Sequence, residues 1–576
     1  MRKLTLENQN ELKPYIELAN YNEYNSNTVT MLMWSTMYEI YFECYEHYAI
    51  AYSKMPNRSA VWMMPYCEKM YRKQAIEKIQ EVSSQENLAF ELHSMTKEFK
   101  DWLQSTYPNQ YLIWSCYNAQ DYVYDRAQQE TLVGKKMQKR RNHFNFFMKE
   151  YANRYLYKPL EKTDIPFIYD FLHTWQAEKE SDKSIDAEEN GIHLLLENFD
   201  ELNLLGGCIY IDGNLEAFNI TSFLSKDCIE IHVEKANKHI RGLYIAILKF
   251  FLETLPHDIM YLNREDDMGN AQLRKAKHDM CPIKKIEKFG SIHQDVHIQK
   301  ATDEFLPQIK QLWKERFCEE TVASTQYYFE QLYHKENCYI LTSDNELITM
   351  LQLRPMDIVV NQQIEHVSFI VGVATSKEYG GVGYMKTLLH HVLSILKKNQ
   401  NYTLLQAYHP ALYTPFGFKE TYQNRCVTLD KSAYKKANGT FHSDYTKQEL
   451  LVLYTQYTKN KEGYRLRNVQ DYDTLLAYKA IWNQSVLIHK TNTINDGYII
   501  YTEDSKSCTI SECIFTSEEA LISMLGMLCE KEQEICVTLD NEQDVIGNIK
   551  IVTNMMCKEL GTKQFPSEHL FINEEI

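Results

Sequence analysis

With 576 residues, the chain is too long for one hydrophobic core, and ordinary domain sizes divide it into roughly three to five units. A formal net charge of -16 excludes a protein that coats nucleic acid or an anionic membrane. The 44% hydrophobic and 24% charged content excludes a disordered chain. The start Met1-Arg2-Lys3-Leu4-Thr5-Leu6 runs straight into polar sequence, unlike a signal peptide, and no segment reaches the roughly 18 apolar residues of a membrane span. The 14 cysteines are scattered without a C-x-x-C pair, so the expectation is a cytoplasmic protein with reduced thiols and no metal.

One region departs from the acidic background. Between Arg126 and Lys158 lie Lys135, Lys136, Lys139, Arg140, Arg141, Lys149 and Arg154, against only Glu130 and Glu150. Such a run is either a solvated helix face or the contact surface of an anionic partner. The next stretch reads as a hairpin and a strand. Gly207–Ile211 turns at Asp212-Gly213-Asn214 into Leu215–Ile220, because Asp-Gly between alternating runs favours a tight β-turn. The strand Cys228–Val233 follows, then an apolar helix from Gly242 to about Leu255. Charged words close this half: Glu234-Lys235, Tyr261-Leu262-Asn263-Arg264-Glu265-Asp266-Asp267 and Leu273-Arg274-Lys275-Ala276-Lys277. Ionisable groups at the ends of buried strands need partners, either one another or a ligand.

The same plan of helix, hairpin, strand, helix and strand recurs in the second half. Tyr339–Thr342 turns at Asp344-Asn345 into Leu347–Leu353. Then come the strand Val367–Thr375, a helix Gly383–Lys398 with Met385, Leu388, Leu389, Val392 and Leu396 on one face, and a strand Tyr402–Tyr408. A weaker repeat runs from Gly497–Tyr501 through Cys508–Phe515, a helix Ser517–Lys531 and a strand Glu534–Leu539. The first 150 residues, with short aromatic strands, are compatible with a fourth copy. The expected boundaries give units 1–154, 155–295, 296–442 and 443–576.

The stretch Val371-Gly372-Val373-Ala374-Thr375-Ser376-Lys377-Glu378-Tyr379-Gly380-Gly381-Val382-Gly383-Tyr384 places a glycine-rich turn between a buried strand and a helix start. Unpaired N–H groups and the positive end of the helix dipole suit a pyrophosphate there, and glycines let backbone approach it closely. This stretch resembles the acyl-CoA loop of the GNAT superfamily, R/Q-x-x-G-x-G/A, with Glu378 in the Arg/Gln position. Tyr413-Thr414-Pro415-Phe416-Gly417-Phe418 resembles the Y-x-x-F-G-F/Y element of that fold. Together they look like the enhanced-intracellular-survival branch of acetyltransferases over about Ile298–Leu539, whose second copy is degenerate. That branch usually adds a sterol-carrier-like domain, for which this sequence leaves no room. The resemblance implies an α/β fold of tandem GNAT units with mixed central sheets flanked by helices. It also implies acetyl-CoA as donor to a small-molecule amine, with Val371–Val373 and Tyr379–Tyr384 binding the donor. A backbone N–H near Val373 would hold the carbonyl oxygen, and Tyr413 would protonate the leaving thiolate. For the base, Glu365, His366 and the terminal carboxylate of Ile576 stay open, and His409 is close in sequence.

In the first half, Gly134-Lys135-Lys136-Met137-Gln138-Lys139-Arg140-Arg141-Asn142 and the charged words above look like the C-terminal catalytic domain of phosphatidylglycerol lysyltransferases, over about Leu4–Phe289. That resemblance implies transfer of an aminoacyl group from charged tRNA. Lys135, Lys136, Arg140 and Arg141 would meet tRNA phosphates, and Glu234, Lys235, Asn263, Glu265 and Asp266 would hold the amino-acid ammonium or the acceptor. The single glycine after Cys228–Val233 argues against acyl-CoA in this half. Three function classes remain: a two-headed acyltransferase, one N-acetyltransferase with a silent binding half, and a non-enzymatic ligand sensor.

Overall fold

The computed structural model describes residues 1–54, 60–176, 183–434 and 439–574. The chain divides into two compact units, Met1–Val296 and His297–Ile576. Both units are mixed α/β, as the GNAT resemblance implies.

In the second unit, thirteen strands among the described residues form one sheet. Its first part holds Cys338–Ser343, the long hairpin Glu346–Val360 and Gln363–Thr375, and the parallel strand Tyr402–Leu405. The helix Tyr384–Leu396 buries Leu388, Leu389, Val392 and Leu396 against this sheet, the face its 3.6-residue spacing marks out. The last strand of the chain, Gly547–Glu559, lies between Tyr402–Leu405 and Lys419–Leu429. Lys419–Leu429 in turn pairs with Glu534–Asp540. Two strands of 11 and 13 residues therefore lock the parts before and after position 442 into one sheet.

The first unit repeats this exchange with broken strands. Its two sheets share the chain through Tyr111–Ser115 and Asp121–Asp125 on one side, and Lys284–Ile286 and Lys288–His293 on the other. Lys288–His293 inserts between Glu91–Thr96 and Tyr111–Ser115, while Asp121–Asp125 inserts between Tyr261–Asn263 and Lys284–Ile286. Behind the breaks, Lys288 is fully buried between the carboxylates of Asp121 at 2.6 Å and Glu23 at 2.9 Å. Burial opposes its charge, but the two carboxylates prevail and raise it to about 12.

Several sequence expectations shift at their ends. The Asp212-Gly213 hairpin is present, with Ile211 opposite Asn214 and both turn residues at positive φ. The strand expected over Tyr402–Tyr408 ends at Leu405, and Gln406, Tyr408 and His409 are exposed. The strand expected to stop at Leu353 runs on through Pro355 to Val360 and returns at Gln363, burying Met356, Ile358 and Val360 in a core of their own. Among the described residues no helix is long and apolar enough to cross a membrane.

Candidate functional site

In the second unit, Gln363–Thr375 runs parallel to Tyr402–Leu405 only over Ser368↔Thr403, Phe369↔Leu404 and Ile370↔Leu405. The pairing stops there because the second strand ends at Leu405. A bulge lies just beyond: Gln352 faces Val371 and Met350 faces Ala374, so Gly372 and Val373 oppose the single residue Leu351. A bulge interrupts the ladder and re-aims backbone groups. Gly372 sits at φ +55, and a Cβ there would come within 2.6 Å of the Trp313 ring. Trp313 is held by stacking on Tyr328 at 4.3 Å, and Tyr328 donates its hydroxyl hydrogen to Gln352 Oε1 at 2.6 Å.

The chain then makes a short turn over Lys377–Tyr379 and enters its helix at Tyr384 with Gly383 at φ +113. No protein atom lies within 4 Å of where a Gly383 Cβ would stand. This glycine therefore serves a conformation and an open approach, not internal packing. Glu378 points into solvent, and Tyr379 and Tyr384 are buried edge to face at 6.2 Å, fixing the loop from beneath. The structure thus brings Val371–Val373 and Tyr379–Tyr384 onto one strand–loop–helix corner.

Tyr413 stands between two short turns, Pro410–Leu412 and Thr414–Phe416. Its ring packs against the Leu388–Leu405–Phe416 core and meets Phe418 edge-on at 6.2 Å. Burial raises its pKa, so the phenol stays protonated at neutral pH. The base candidates fare differently. Glu365 is paired with Lys563 and Asn401, and His366 with Asp357. Both lie six or more residues up the strand from Gly372, about 20 Å at roughly 3.3 Å per residue, which removes them from the corner. His409 is exposed, and Ile576 lies outside the described residues.

The weaker repeat is closed. Its parallel pair ends at Ile510↔Val537, and the wedge beyond holds about 10 Å³, lined by Ser511, Glu512, Leu539, Asp540, Phe571 and Asn573 among others. That is room for about one water at most. Asn573 donates to Ser511 O and Glu512 Oε2, each at 3.0 Å. At the helix start, Ser517 accepts from Ala520 N, and Glu518 and Glu519 occupy the first turn, where their charge repels an anion. Beneath lies an ion cluster in which Arg467 bridges Glu512 at 2.9 Å and Glu574 at 3.2 Å, all almost fully buried. Burial pushes both carboxylates up, but Arg467 at Glu512, and Arg465 together with Arg467 at Glu574, outweigh it and both pKa values end low. A lowered carboxylate contributes stability above its unfolded pKa and loses it as pH falls. Arg467→Met should therefore destabilise the second unit by about 3–5 kcal/mol at neutral pH, by much less once the medium is acid enough to protonate both glutamates. Denaturant midpoints measured across pH would show it; an equal loss at every pH would refute the pairing account.

In the first unit the corresponding parallel pair is Cys228–Ala236 with Tyr261–Asn263, which ends at Glu230↔Asn263. The bulge just beyond is His232, the extra residue between the pairs Thr221↔Ile231 and Ile220↔Val233. The following helix start differs from that of the second unit. Gly242 is at φ +91, and a Cβ there would meet the carbonyl oxygen of His143 at 2.2 Å. Protein backbone fills the space that a pyrophosphate would need. The basic helix Gln138–Glu150 packs there, across Leu243–Thr254.

The residues expected to bind substrate in this unit separate into groups. Glu234 is held bidentately by Arg264 at 3.0 and 3.1 Å, and Lys235 reaches Glu188 at 2.6 Å. Asn263 is buried, donating to Asp121 Oδ2 and accepting from the Glu265 N–H. Asp266 accepts the hydroxyl of Tyr24 at 2.8 Å. Glu265, at φ +55, turns its carboxylate toward His232, 3.7 Å away, and Glu230 lies 3.3 Å from the same imidazole nitrogen. Burial opposes the imidazolium, but Glu230 and Glu265 lift His232 to about 9; burial raises Glu265 to about 7. The basic run also divides. Lys135, Lys136 and Lys139 are exposed, whereas Arg141 donates to the carbonyls of Leu132 and Gly134, and Arg140 turns inward beside Arg264. Arg126 is buried on the carbonyls of Leu252, Leu255 and Pro256. Glu230 and His232 were missed from sequence, although two ionisable residues two apart inside an apolar strand were a signal.

A parallel pair with a bulge just beyond its end, twice over, is an arrangement suited to acyl transfer. Comparison with known proteins agrees. Residues 17–291 match the family model "Phosphatidylglycerol lysyltransferase, C-terminal", and residues 297–421 match "Acetyltransferase (GNAT) domain". The first half thus resembles a lysyltransferase C-terminal domain, and the second carries a segment of the GNAT type, a class whose donor is an acyl-CoA. It is 26% identical over 182 residues to an uncharacterized protein of Mycoplasmoides gallisepticum, covering 32% of this chain and 58% of that protein's length. A conserved protein of unknown function from Bacteroides thetaiotaomicron is 25% identical with a TM-score of 0.48, over 50% of this chain and 98% of that one. The L-PGS structure from Bacillus licheniformis is 12% identical with a TM-score of 0.37, over 50% and 91%.

Proposed function

We propose that the second unit transfers an acetyl group from acetyl-CoA to a small-molecule amine, and that the first transfers an aminoacyl group from charged tRNA. The observation that carries the first part is the Gly372–Val373 bulge leading into the open, Gly383-started helix. The helix N–H groups and the backbone of Gly380–Gly383 receive the pyrophosphate. The acyl carbonyl oxygen accepts from the N–H at Val373, which stabilises the charge that develops there. As the neutral amine attacks, the new C–N bond forms and the C–S bond breaks. The Tyr413 hydroxyl, which packs against the same core as Val373, gives its proton to the departing thiolate, and the proton that the amine nitrogen sheds passes to water, from which Tyr413 is reprotonated. Incubating the purified chain with labelled acetyl-CoA and a panel of amines should yield acetylated product. Absence of both turnover and acetyl-CoA binding would overturn this reading.

The second part is supported by the exposed Lys135, Lys136 and Lys139, which have Arg241 stacked on Phe146 at 4.8 Å nearby and no ion-pair partner among the described residues. Neighbouring Arg241 and Lys139, after burial, hold His143 below its ordinary pKa, as a positive patch does. The triple variant Lys135→Glu, Lys136→Glu, Lys139→Glu should weaken tRNA retention and reduce its log–log salt slope by about one per lysine. Arg140 and Arg141 are unsuitable probes, because their reversal would break internal contacts. Retention that ignores both salt and these substitutions would make the run a solvated face. Binding of tRNA without aminoacyl turnover would instead support a silent binding half.

A further inference from the structure

Glu230, His232 and Glu265 form a set of donors with one atom each, all within 4.8 Å of one another. Two observations set it apart from an ordinary internal ion pair. First, the outer atoms are already committed. Asn27 Nδ2 donates to Glu230 Oε2 at 2.8 Å and to Ser222 Oγ at 2.9 Å, while the inner Glu230 Oε1 accepts one hydrogen bond, from Thr30 Oγ1 at 2.5 Å, and keeps a second lone pair. Ser222 Oγ lies 2.8 Å from His232 Nε2, so the outer nitrogen of the ring is anchored and Nδ1 faces the two carboxylates at 3.3 and 3.7 Å. Second, Glu265 Oε1 is buried without a hydrogen-bond partner. The nearest lysine, Lys277, spends its ammonium on the backbone carbonyls of Arg264 and Asp266.

We infer that this cluster is a binding site for a first-row divalent transition ion. His232 Nδ1 lies 3.3 and 3.7 Å from the two carboxylates and all three donors fall within 4.8 Å of one another, near the spacing of three ligands around one ion at about 2.0–2.2 Å. The set of one imidazole and two carboxylates favours a borderline ion of the manganese-to-zinc series over calcium or a thiolate-seeking metal. The Ser222 contact to the far ring nitrogen and the Asn27 contact to the far carboxylate oxygen are the outer supports that orient such ligands. Three protein donors leave a coordination position open, and Glu265, 20% exposed, gives the way in. The location strengthens the case: His232 is the bulge residue just beyond the end of the parallel pair, the place that Gly372 and Val373 hold in the second unit.

Cobalt(II) is the probe, added alone to the metal-stripped full chain with thiols reduced. One equivalent should bind with visible bands typical of nitrogen and oxygen ligands and without the intense thiolate charge-transfer absorption that the cysteines would produce. Zinc(II) should displace it. Glu265→Gln keeps the shape and removes the charge, and should weaken binding at least tenfold; His232→Gln should abolish it. Circular dichroism and melting temperature check that each variant folds, and if His232→Gln does not, the partly exposed Glu265→Gln decides alone. No stoichiometric cobalt, a thiolate spectrum, or equal affinity in Glu265→Gln would each overturn the site. Because the readout is binding, loss of acyltransfer activity by another route leaves the result interpretable.

Discussion

Acetyl-CoA should raise the melting temperature of the full chain, and Gly383→Val should abolish that rise. A ligand that binds only the native state stabilises by RT ln(1 + [L]/Kd), about 2.7 kcal/mol at a hundredfold excess over Kd. Gly383 is at φ +113 with open space where a Cβ would go. A Cβ there comes within 4 Å of no described atom beyond its chain neighbours, so a clash at that atom is not the expected failure. The substitution instead forces a β-branched residue into a region it avoids, at a cost of about 1–3 kcal/mol, and places two methyl groups where the pyrophosphate would lie. The unliganded melting temperature should fall modestly, while the ligand-induced shift disappears. Gly242→Ala makes the contrasting case. Its Cβ would strike the carbonyl of His143 at 2.2 Å, so it should lower the stability of the first unit and leave the acetyl-CoA shift intact. An undiminished shift in Gly383→Val would remove the loop from the donor site.

The two glycines also show how much of this site was legible in the sequence. Gly242 and Gly383 each begin an apolar helix after a buried strand, and local sequence separates them only by the company they keep. Gly380, Gly381 and Gly383 together mark the second helix start as the proposed cradle. That Gly242 is needed by a neighbouring helix depends on His143, a contact 99 positions away in the chain that no local pattern encodes. The strands obey the same rule. The Asp212-Gly213 hairpin and the helix Tyr384–Leu396 were readable because turn chemistry and 3.6-residue spacing are local. Lys419–Leu429 and Gly547–Glu559 were not: their sequences, KETYQNRCVTL and GNIKIVTNMMCKE, mix polar and apolar residues. They become strands because each lies between partners over a hundred residues distant. The strand from Leu347 was expected to end at Leu353. At Pro355↔Ser368 the strand nevertheless continues, with the proline exposed.

The charged words of the first half followed the same logic at the level of side chains. Sequence marked Glu234, Lys235, Asn263, Glu265 and Asp266 as a group seeking partners. Four of them found partners inside the protein: Arg264, Glu188, Asp121 and Tyr24. Only Glu265 was left facing Glu230 and His232, two ionisable residues inside an otherwise apolar strand. Pairing of buried charges is a requirement that sequence can announce, but the choice between an internal and an external partner is made by the fold.

Tyr413→Phe should lower kcat for acetyl transfer by about a hundredfold to ten-thousandfold, the range of a lost general acid. The thiolate of CoA is a tolerable leaving group, which favours the lower end. Phenylalanine keeps the ring that packs against Phe418 and the Leu388–Leu405 core. No hydrogen bond of the tyrosine hydroxyl to another described residue is lost with it, so the melting temperature should hardly change. KM for acetyl-CoA should also stay close to the parent value, since a contact made only in the transition state affects kcat and kcat/KM alike. A tyrosine that serves packing alone gives the reverse pattern, with turnover retained. The pH profile adds a separate check. Burial raises the Tyr413 pKa, so the acid form persists further into alkali than a free phenol would, and kcat should hold there in the parent enzyme. Should the variant keep full turnover across that range, the proton reaches the thiolate from water or another residue.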